Sequence, residues 1–495
     1  MPTPTRFIFL LTLLLVALSL QQTQAQRRSY GNPIQPVAAD PAIALALTAV
    51  SPEQIHATIE KLVSFKNRST LSSMETDLAP NTGINAAADW IASEFRRISA
   101  ACNDCMEVKR DEFTEPGSDA PGSRIRKPTK LVNIYAVLKG TDPAQANRRV
   151  LVTGHYDSRN SDTFNTHDPA PGANDDASGV AVSIECARVL SKLKFPSTLV
   201  FVAVAGEEQG LNGSRHLAKL AKSEGWQLEA VLNNDIVGGD TTPGQEDAED
   251  KTAVRVFSEG VPSPATPEGS AEAIARIHNL GSDSDAPSRE LARAISEVSG
   301  TYFPNNRPAL NAHTAAIRYD DPFHPVMIFR ADRYLRGGDH TSFNLEGFAA
   351  VRFTEWRENF DHQHQNVRVE NGPQYGDLIQ YDDFDYIANV ARLNAAALAT
   401  LASAPGEPQN VHILTAALDN STELTWGPPT GAPAGTTYEI VWRSTELPTW
   451  TTFLSAGPAT TLKLPVSKDN VVFGVRSVDA AGHRSIAVLP IPARK

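Results

Sequence analysis

The sequence predicts an α/β domain, a mixed and mostly parallel sheet covered by helices, followed by a smaller all-β sandwich. Three observations carry this. Between residues 131 and 236, apolar strand-like runs alternate with segments of helical spacing. The runs are nearly continuous in Val, Leu, Ile and Phe, as in TLVFVAVA at Thr198–Ala205, which marks strands buried on both faces. After Ser403 the texture changes to short strands separated by turns rich in Gly, Pro, Asp and Asn. At 495 residues, 41% apolar and 21% charged, the chain is globular in composition and long enough for several domains.

The elements follow in order. Residues 1–25 read as an export leader. Arg6 precedes an apolar run, Phe7–Leu20, and Thr23-Gln24-Ala25 places small residues at −3 and −1, so cleavage is expected after Ala25. The mature chain is then expected to be secreted or periplasmic. The run is short for a membrane span and no later run approaches about 18 residues, so none is expected. Residues 26–50, polar and Pro-bearing from Arg27 to Ala39, read as a tether.

The main domain is placed at 51–402. Residues 51–65 and 84–100 have helical spacing, and the charged 107–130 reads mostly as loop. Strands are expected at Leu131–Leu138, Val150–Thr153, Thr198–Ala205 and Ala230–Ile236, and helices at Asp176–Leu193 and Gly213–Ser223. Residues 238–340 are less regular, with a helix at Ser288–Val298. Asp383–Leu401 is a long amphipathic helix that closes the domain. Residues 403–408 read as a linker and 409–495 as the sandwich. Of the three cysteines, Cys102 and Cys105 are expected to form a structural bridge, with redox or metal roles as alternatives. Cys186 falls on an apolar helix and reads as buried.

A formal net charge of −12 argues against a nucleic-acid partner. Acidic residues instead gather where metal ions would need them. Four motifs fall at or just after strand ends, where open α/β sheets bind ligands. Gly154-His155-Tyr156-Asp157 pairs an imidazole with a carboxylate that can take its other N–H. Asn174-Asp175-Asp176 opens a helix, and Asp176 reads equally well as its cap. Gly206-Glu207-Glu208 follows the strongest strand, and adjacent carboxylates at a buried strand end repel unless cations are present. One can bind metal while the other takes a proton from water. Asn233-Asn234-Asp235 ends another strand, and Asp361-His362-Gln363-His364 precedes the final helix. The set is N/O only, with no thiolate, and suits a catalytic zinc pair rather than a structural site.

The segments GHYDSR, PGANDDASGVAV, AGEEQGLNGS and NNDIVGG, with Gly338-Asp339-His340, resemble peptidase family M28, the zinc aminopeptidases, over about residues 50–402. The resemblance implies two zinc ions and a peptide substrate with a free N-terminus. Carried onto this chain, it implies that His155 and Glu208 bind one zinc, that Asp235 and a late histidine bind the second, and that Asp175 bridges. Glu207 is implied as general base and Asp157 as the group that orients His155. His362 is the implied late histidine, with His364 as runner-up; Asn366 stands where the family commonly has Asp. An oxyanion donor is expected, with Arg333, Tyr334 and Arg336 as candidates. The 409–490 stretch resembles a fibronectin type III domain, and a docking role for it toward substrate or a surface rests on analogy alone.

Competing readings are a zinc carboxypeptidase or amidohydrolase, a one-zinc glutaminyl cyclase, and a non-catalytic binding protein. The Asn-Asp-Asp-Ala-Ser-Gly run argues against the M20 amidohydrolases. The adjacent Glu207 and Glu208 favour two metals over one, and no ligand position is vacant, which disfavours a binding protein.

Overall fold

The computed structural model describes residues 30–262, 285–303 and 323–494, with isolated positions between 269 and 277. The leader expected at 1–25 lies outside the described residues.

A two-residue strand, β1 (Asn32–Pro33), is followed by helices α1 (Pro41–Leu47), α2 (Pro52–Val63) and α3 (Gly83–Ala100). Strands β2 (Met106–Glu115), β3 (Thr129–Leu138) and β4 (Arg148–His155) lead to helix α4 (Ser178–Leu190). Then come β5 (Thr198–Val204), α5 (Asn212–Ser223), β6 (Gln227–Asn234) and β7 (Ala253–Phe257). Helix α6 (Pro287–Tyr302), β8 (His324–Ile328), α7 (Asp339–Leu345), β9 (Ala350–Glu355), the short pair β10 (Arg368–Val369) and β11 (Gln374–Tyr375), and α8 (Phe384–Ser403) complete the domain.

Eight strands form one mixed sheet in the order β2-β3-β5-β4-β6-β9-β7-β8. Its centre, β5-β4-β6-β9, is parallel throughout, so the carboxyl ends of these four strands share one edge. Strand β5 shows why its sequence has no polar alternation. Leu199, Phe201 and Ala203 pack into the larger core with α2, α3, α4 and α8. Val200, Val202 and Val204 pack on the opposite face with Leu217 and Ala218 of α5 and Phe343 of α7. Both faces are covered, so every position after Thr198 is apolar. Helix α8 is almost wholly buried, and Asp383 caps it by accepting from the N–H groups of Asp385 and Tyr386.

Three expectations change. The charged stretch after Cys105 is no loop at its start: β2 runs ten residues and, among the described residues, pairs only with β3. It is an edge strand, where charge protects an unpaired border, and charge of that kind reads as loop in a sequence. Over its described residues, 30–50, the stretch expected as a tether is packed against the rest of the chain. Its β1 pairs with Phe453 and Thr452, and α1 buries Ile43 and Leu47 in the main core. The 403–408 linker is packed, with Ala404 2.9 Å from Arg148 Nη1 through its carbonyl oxygen. Cys102 and Cys105 are disulfide-bonded and Cys186 is buried.

The C-terminal region forms two four-stranded sheets, as expected of a sandwich. The strands are β12 (Gln409–Leu414), β13 (Thr422–Gly427), β14 (Thr437–Ser444), β15 (Thr452–Gly457), β16 (Thr461–Leu464), β17 (Val471–Val478) and β18 (Ile491–Ala493). One sheet is β16-β13-β12-β18; the other, β15-β14-β17, is extended by β1 from the start of the chain. Trp426, Tyr438, Ile440, Trp442 and Val475 fill the space between them.

Candidate metal centre

The parallel centre of the sheet aims the motifs at one place. His155 ends β4, Glu207 and Glu208 follow β5, and Asp235 follows β6. Asp175 and Asp176 sit in the turn Ala173–Ala177 that enters α4. The first turn of α4 comes close to β4 because Gly179 and Gly154 lack side chains. A Cβ on Gly154 would lie 2.4 Å from the Gly179 backbone, and one on Gly179 would lie 2.2 Å from Asn234 O. The Asp175–Asp176 peptide is cis.

Two groups of three potential ligands share one residue. Asp175 Oδ1 lies 3.1 Å from His155 Nε2, and Asp235 Oδ1 lies 3.9 Å from the same nitrogen. Asp175 Oδ2 lies 2.9 Å from His364 Nε2, and Glu208 Oε1 lies 3.0 Å from that nitrogen. Zinc bonds of about 2.0–2.1 Å set tetrahedral ligand atoms about 3.3 Å apart, so both groups have the right spread. His155 Nε2 and Glu208 Oε1 are buried, and the polar atoms near them, Asp175 Oδ1 and His364 Nε2, do not meet them with hydrogen-bond geometry. Buried polar atoms are rarely left so, and a cation is the partner these atoms lack. The residues present fit zinc on chemistry and on spacing.

The geometry corrects the sequence reading twice. His155 goes with Asp235 and Glu208 goes with a histidine, rather than His155 with Glu208. The sheet order is the reason: β4 lies between β5 and β6, and the loop after β9 brings its histidine to the β5 side. That histidine is His364, not His362. His362 Nδ1 is held by Asp240 Oδ2 at 2.5 Å, and its ring stacks on Tyr381. His364 has φ near 60°, the left-handed turn that directs it inward.

Asp157 is fully buried and does more than was expected of it. Its carbonyl oxygen lies 3.2 Å from His155 Nδ1, and its carboxylate Oδ1 lies 3.5 Å away. The carboxylate also accepts the N–H groups of Glu207 and Glu208, each at 3.2 Å, and the Thr70 hydroxyl at 3.0 Å. It therefore positions the Glu-Glu turn as well as the histidine. Asp176 accepts from the backbone N–H groups of His155, Gly179 and Ile236, joining three elements.

Electrostatics separate the two adjacent glutamates. Glu207 is partly exposed, yet desolvation, with Asp235, Glu208 and Asp339 nearby, pushes its carboxyl well above the usual range. Burial acts on Glu208 too, but His364 and Arg159 hold its carboxyl below that range. Burial opposes charge on His155, yet Asp176, Asp157 and Asp175 raise it well above an ordinary histidine.

Several participants escaped the sequence reading. Arg352, fully buried in β9, places Nη2 2.8 Å from Asp235 Oδ1. Arg159 Nε binds Glu208 Oε2 at 2.8 Å, and Gln363 donates to Asp175 Oδ2 at 3.0 Å. Asp377 accepts the N–H groups of Asn174 and Asp175. Glu355 accepts from Asn174, Gly239 and Asp240. Arg352 and Glu355 did leave a signal, two charges in a fully buried strand whose other residues are uncharged. The oxyanion candidates are engaged elsewhere. Arg333 and Arg336 bind Glu358, and the exposed Tyr334 accepts from Arg330. Asn366 accepts from Ser161.

The model of peptidase family M28 matches residues 133–286. A probable zinc metalloprotease of Pyrenophora teres f. teres is 44% identical over 463 residues, spanning 94% of this chain and 89% of its own. One of Pyricularia oryzae is 44% identical over 454 residues, spanning 90% of this chain and 84% of its own. The solved LapA aminopeptidase of Legionella pneumophila aligns at 19% identity and a TM-score of 0.49, over 77% of this chain and 80% of that one. The chain belongs to peptidase family M28.

Proposed function

We propose that this chain is an exported metallo-aminopeptidase that holds two zinc ions and hydrolyses N-terminal residues from peptides. The observation that carries this is the division of the Asp175 carboxylate. Its two oxygens face two separate ligand groups, His155 with Asp235 and Glu208 with His364. A shared carboxylate between two sets of N/O ligands suits a pair of catalytic ions. The relatives named zinc metalloproteases support zinc as the metal.

Zinc, when bound, supplies Lewis acidity toward the scissile carbonyl and the attacking water. The chain supplies the rest. Glu207 takes the proton of that water and delivers it to the leaving amine. Asp157 fixes the turn that carries Glu207 and Glu208, and Arg352 and Gln363 fix two ligand carboxylates. The apolar leader at 1–25 supports export. The C-terminal sandwich, fibronectin type III-like in its run of strands, is read as a platform fixed beside this machinery.

The test uses free-amine aminoacyl-p-nitroanilides beside their N-acetylated forms, before and after chelation and zinc return. Hydrolysis of the free-amine set alone, lost on chelation and restored by zinc, is expected. Glu207→Gln should keep its zinc and lose roughly two to four orders of magnitude in kcat. Equal cleavage of the acetylated set would replace this function with that of a blocked-peptide hydrolase.

A further inference from the structure

Between α2 and α3 lies a short segment, Asn67-Arg68-Ser69-Thr70, that belongs to none of the motifs. All four residues are buried. Asn67 makes an isolated bridge to Ala170, and Arg68 and Ser69 belong to no helix or strand. Irregular chain normally runs over the surface, because inside the protein its backbone polar groups still need partners. Here the partners are the loops that carry the metal ligands.

Arg68 is at the centre. Its guanidinium donates to four carbonyl oxygens: Nε to Tyr156 O at 2.8 Å, Nη1 to Leu62 O at 3.1 Å and to Pro171 O, and Nη2 to Gly172 O at 2.8 Å. Tyr156 follows His155, and Pro171 and Gly172 lead into the turn that carries Asp175. One planar fork therefore ties together the two stretches whose ligand atoms, His155 Nε2 and Asp175 Oδ1, stand 3.1 Å apart. The main chain adds two bonds, Arg68 N to Ser158 Oγ at 3.2 Å and Ser158 N to Arg68 O at 3.3 Å. Asn67 Nδ2 donates to Asp168 O at 2.7 Å, and the Thr70 hydroxyl holds Asp157. Gly172 makes room for the fork: a Cβ there would lie 2.9 Å from Arg68 Nη2.

Four of the five N–H groups of the fork are spent in this way. Burial pulls the guanidinium down to about 10, against Asp377, Asp157, Asp176 and Asp175, which favour its charge. It stays a cation near neutral pH. A lysine could carry that charge, but its single ammonium cannot reach four carbonyls spread over three stretches of chain.

We propose that Arg68 is a positioning residue of the metal centre, which sets the spacing of His155 and Asp175 through the backbone beside each and so sets the affinity for zinc. This rests on the two-zinc centre above. Arg68 acts through the main chain; among the described residues its hydrogen bonds reach no ligand side chain.

The test compares Arg68→Lys with the wild type. Zinc affinity is read by competition with a chromophoric chelator, and the denaturant stability of the chelated protein is read beside it. Residues that orient ligands from outside typically account for about 10–100-fold in metal affinity, so a fall of about tenfold or more is expected. Lower stability with unchanged zinc affinity would make Arg68 a merely structural residue and overturns the proposal. Should Arg68→Lys fail to fold, the wild type alone decides. Coupling is reciprocal, so zinc should slow amide exchange across residues 66–72, which hold no ligand, and leave β14 of the sandwich unchanged. No slowing at 66–72 overturns the proposal. If the wild type takes up no zinc, the two-zinc centre fails separately. Amide exchange of the two chelated proteins then decides: faster exchange in Arg68→Lys at 155–158 and 170–177, with β14 unchanged, supports the positioning role, and equal exchange there overturns it.

Discussion

Two clusters of buried charge in this molecule are built differently. At the strand ends, Asp157, Asp175, Asp176, Glu208 and Asp235 crowd around His155. At the seam between the α/β domain and the sandwich, Asp285 stands between Arg293 at 2.6 Å and Arg443 at 2.7 Å. Arg476 stands there between Glu297 and Glu439, both at 2.8 Å. Each acid at the seam has an arginine of the chain's own. Taking an ion out of water costs several kcal/mol unless a counter-ion restores it. At the seam the arginines match the acids, whereas the strand-end cluster gathers more carboxylates than its arginines and histidines balance. Surplus like charge marks a site, and balanced charge marks a joint.

The largest effect expected from testing this contrast is at the histidines. His364→Ala should lose one zinc equivalent and roughly two orders of magnitude or more in kcat/KM, while His362→Ala keeps both metals. Metal analysis of the two purified variants decides it, and the reverse pattern would return the ligand role to His362.

At the seam, Asp285→Ala leaves Arg293 and Arg443 without their shared partner. It should cost about 3–5 kcal/mol of stability in denaturant titration, with zinc stoichiometry unchanged. A loss below about 1 kcal/mol would mean that the seam is only a surface contact.

The smallest effect is a pH dependence. Burial pushes the Glu290 carboxyl up to about 7 despite Arg293, against an ordinary 4.5. Its folded value is the higher one, so its contribution is present below about pH 4.5 and fades as the pH rises through about 7. Glu290→Gln should flatten the stability curve across that window. A variant curve parallel to the wild type would show that Glu290 ionises as it does in the unfolded chain.

Much of this architecture was written locally. The continuous Val, Leu and Phe of β5 announced a doubly covered strand, and the apolar face of α8 announced a closing helix. Asp175, Glu207, Glu208 and Asp235 stood out because carboxylates at apolar strand ends demand an explanation. What misled was charge without context. The alternating charges of β2 look like loop until it is seen as the sheet's edge, and the 26–50 stretch, polar up to Ala39, looks like tether until β1 finds β15. Arg352 and Asp377 were invisible as site residues because neither lies near a motif in the chain. Arg352 meets Asp235 across 117 positions and Asp377 meets Asp175 across 202.

The sequence by itself determined the fold class, the strand ends that carry the acids and the N/O character of the metal ligands. Each depends on residues within a few positions of one another, whose spacing and polarity act locally. Only the tertiary structure decided which ligands stand together, which late histidine joins them, and which arginine holds Asp235. Those outcomes depend on the order of strands in the sheet and on how the loops after β8 and β9 fold back. Such pairings close over a hundred residues or more and leave no periodic trace in the chain.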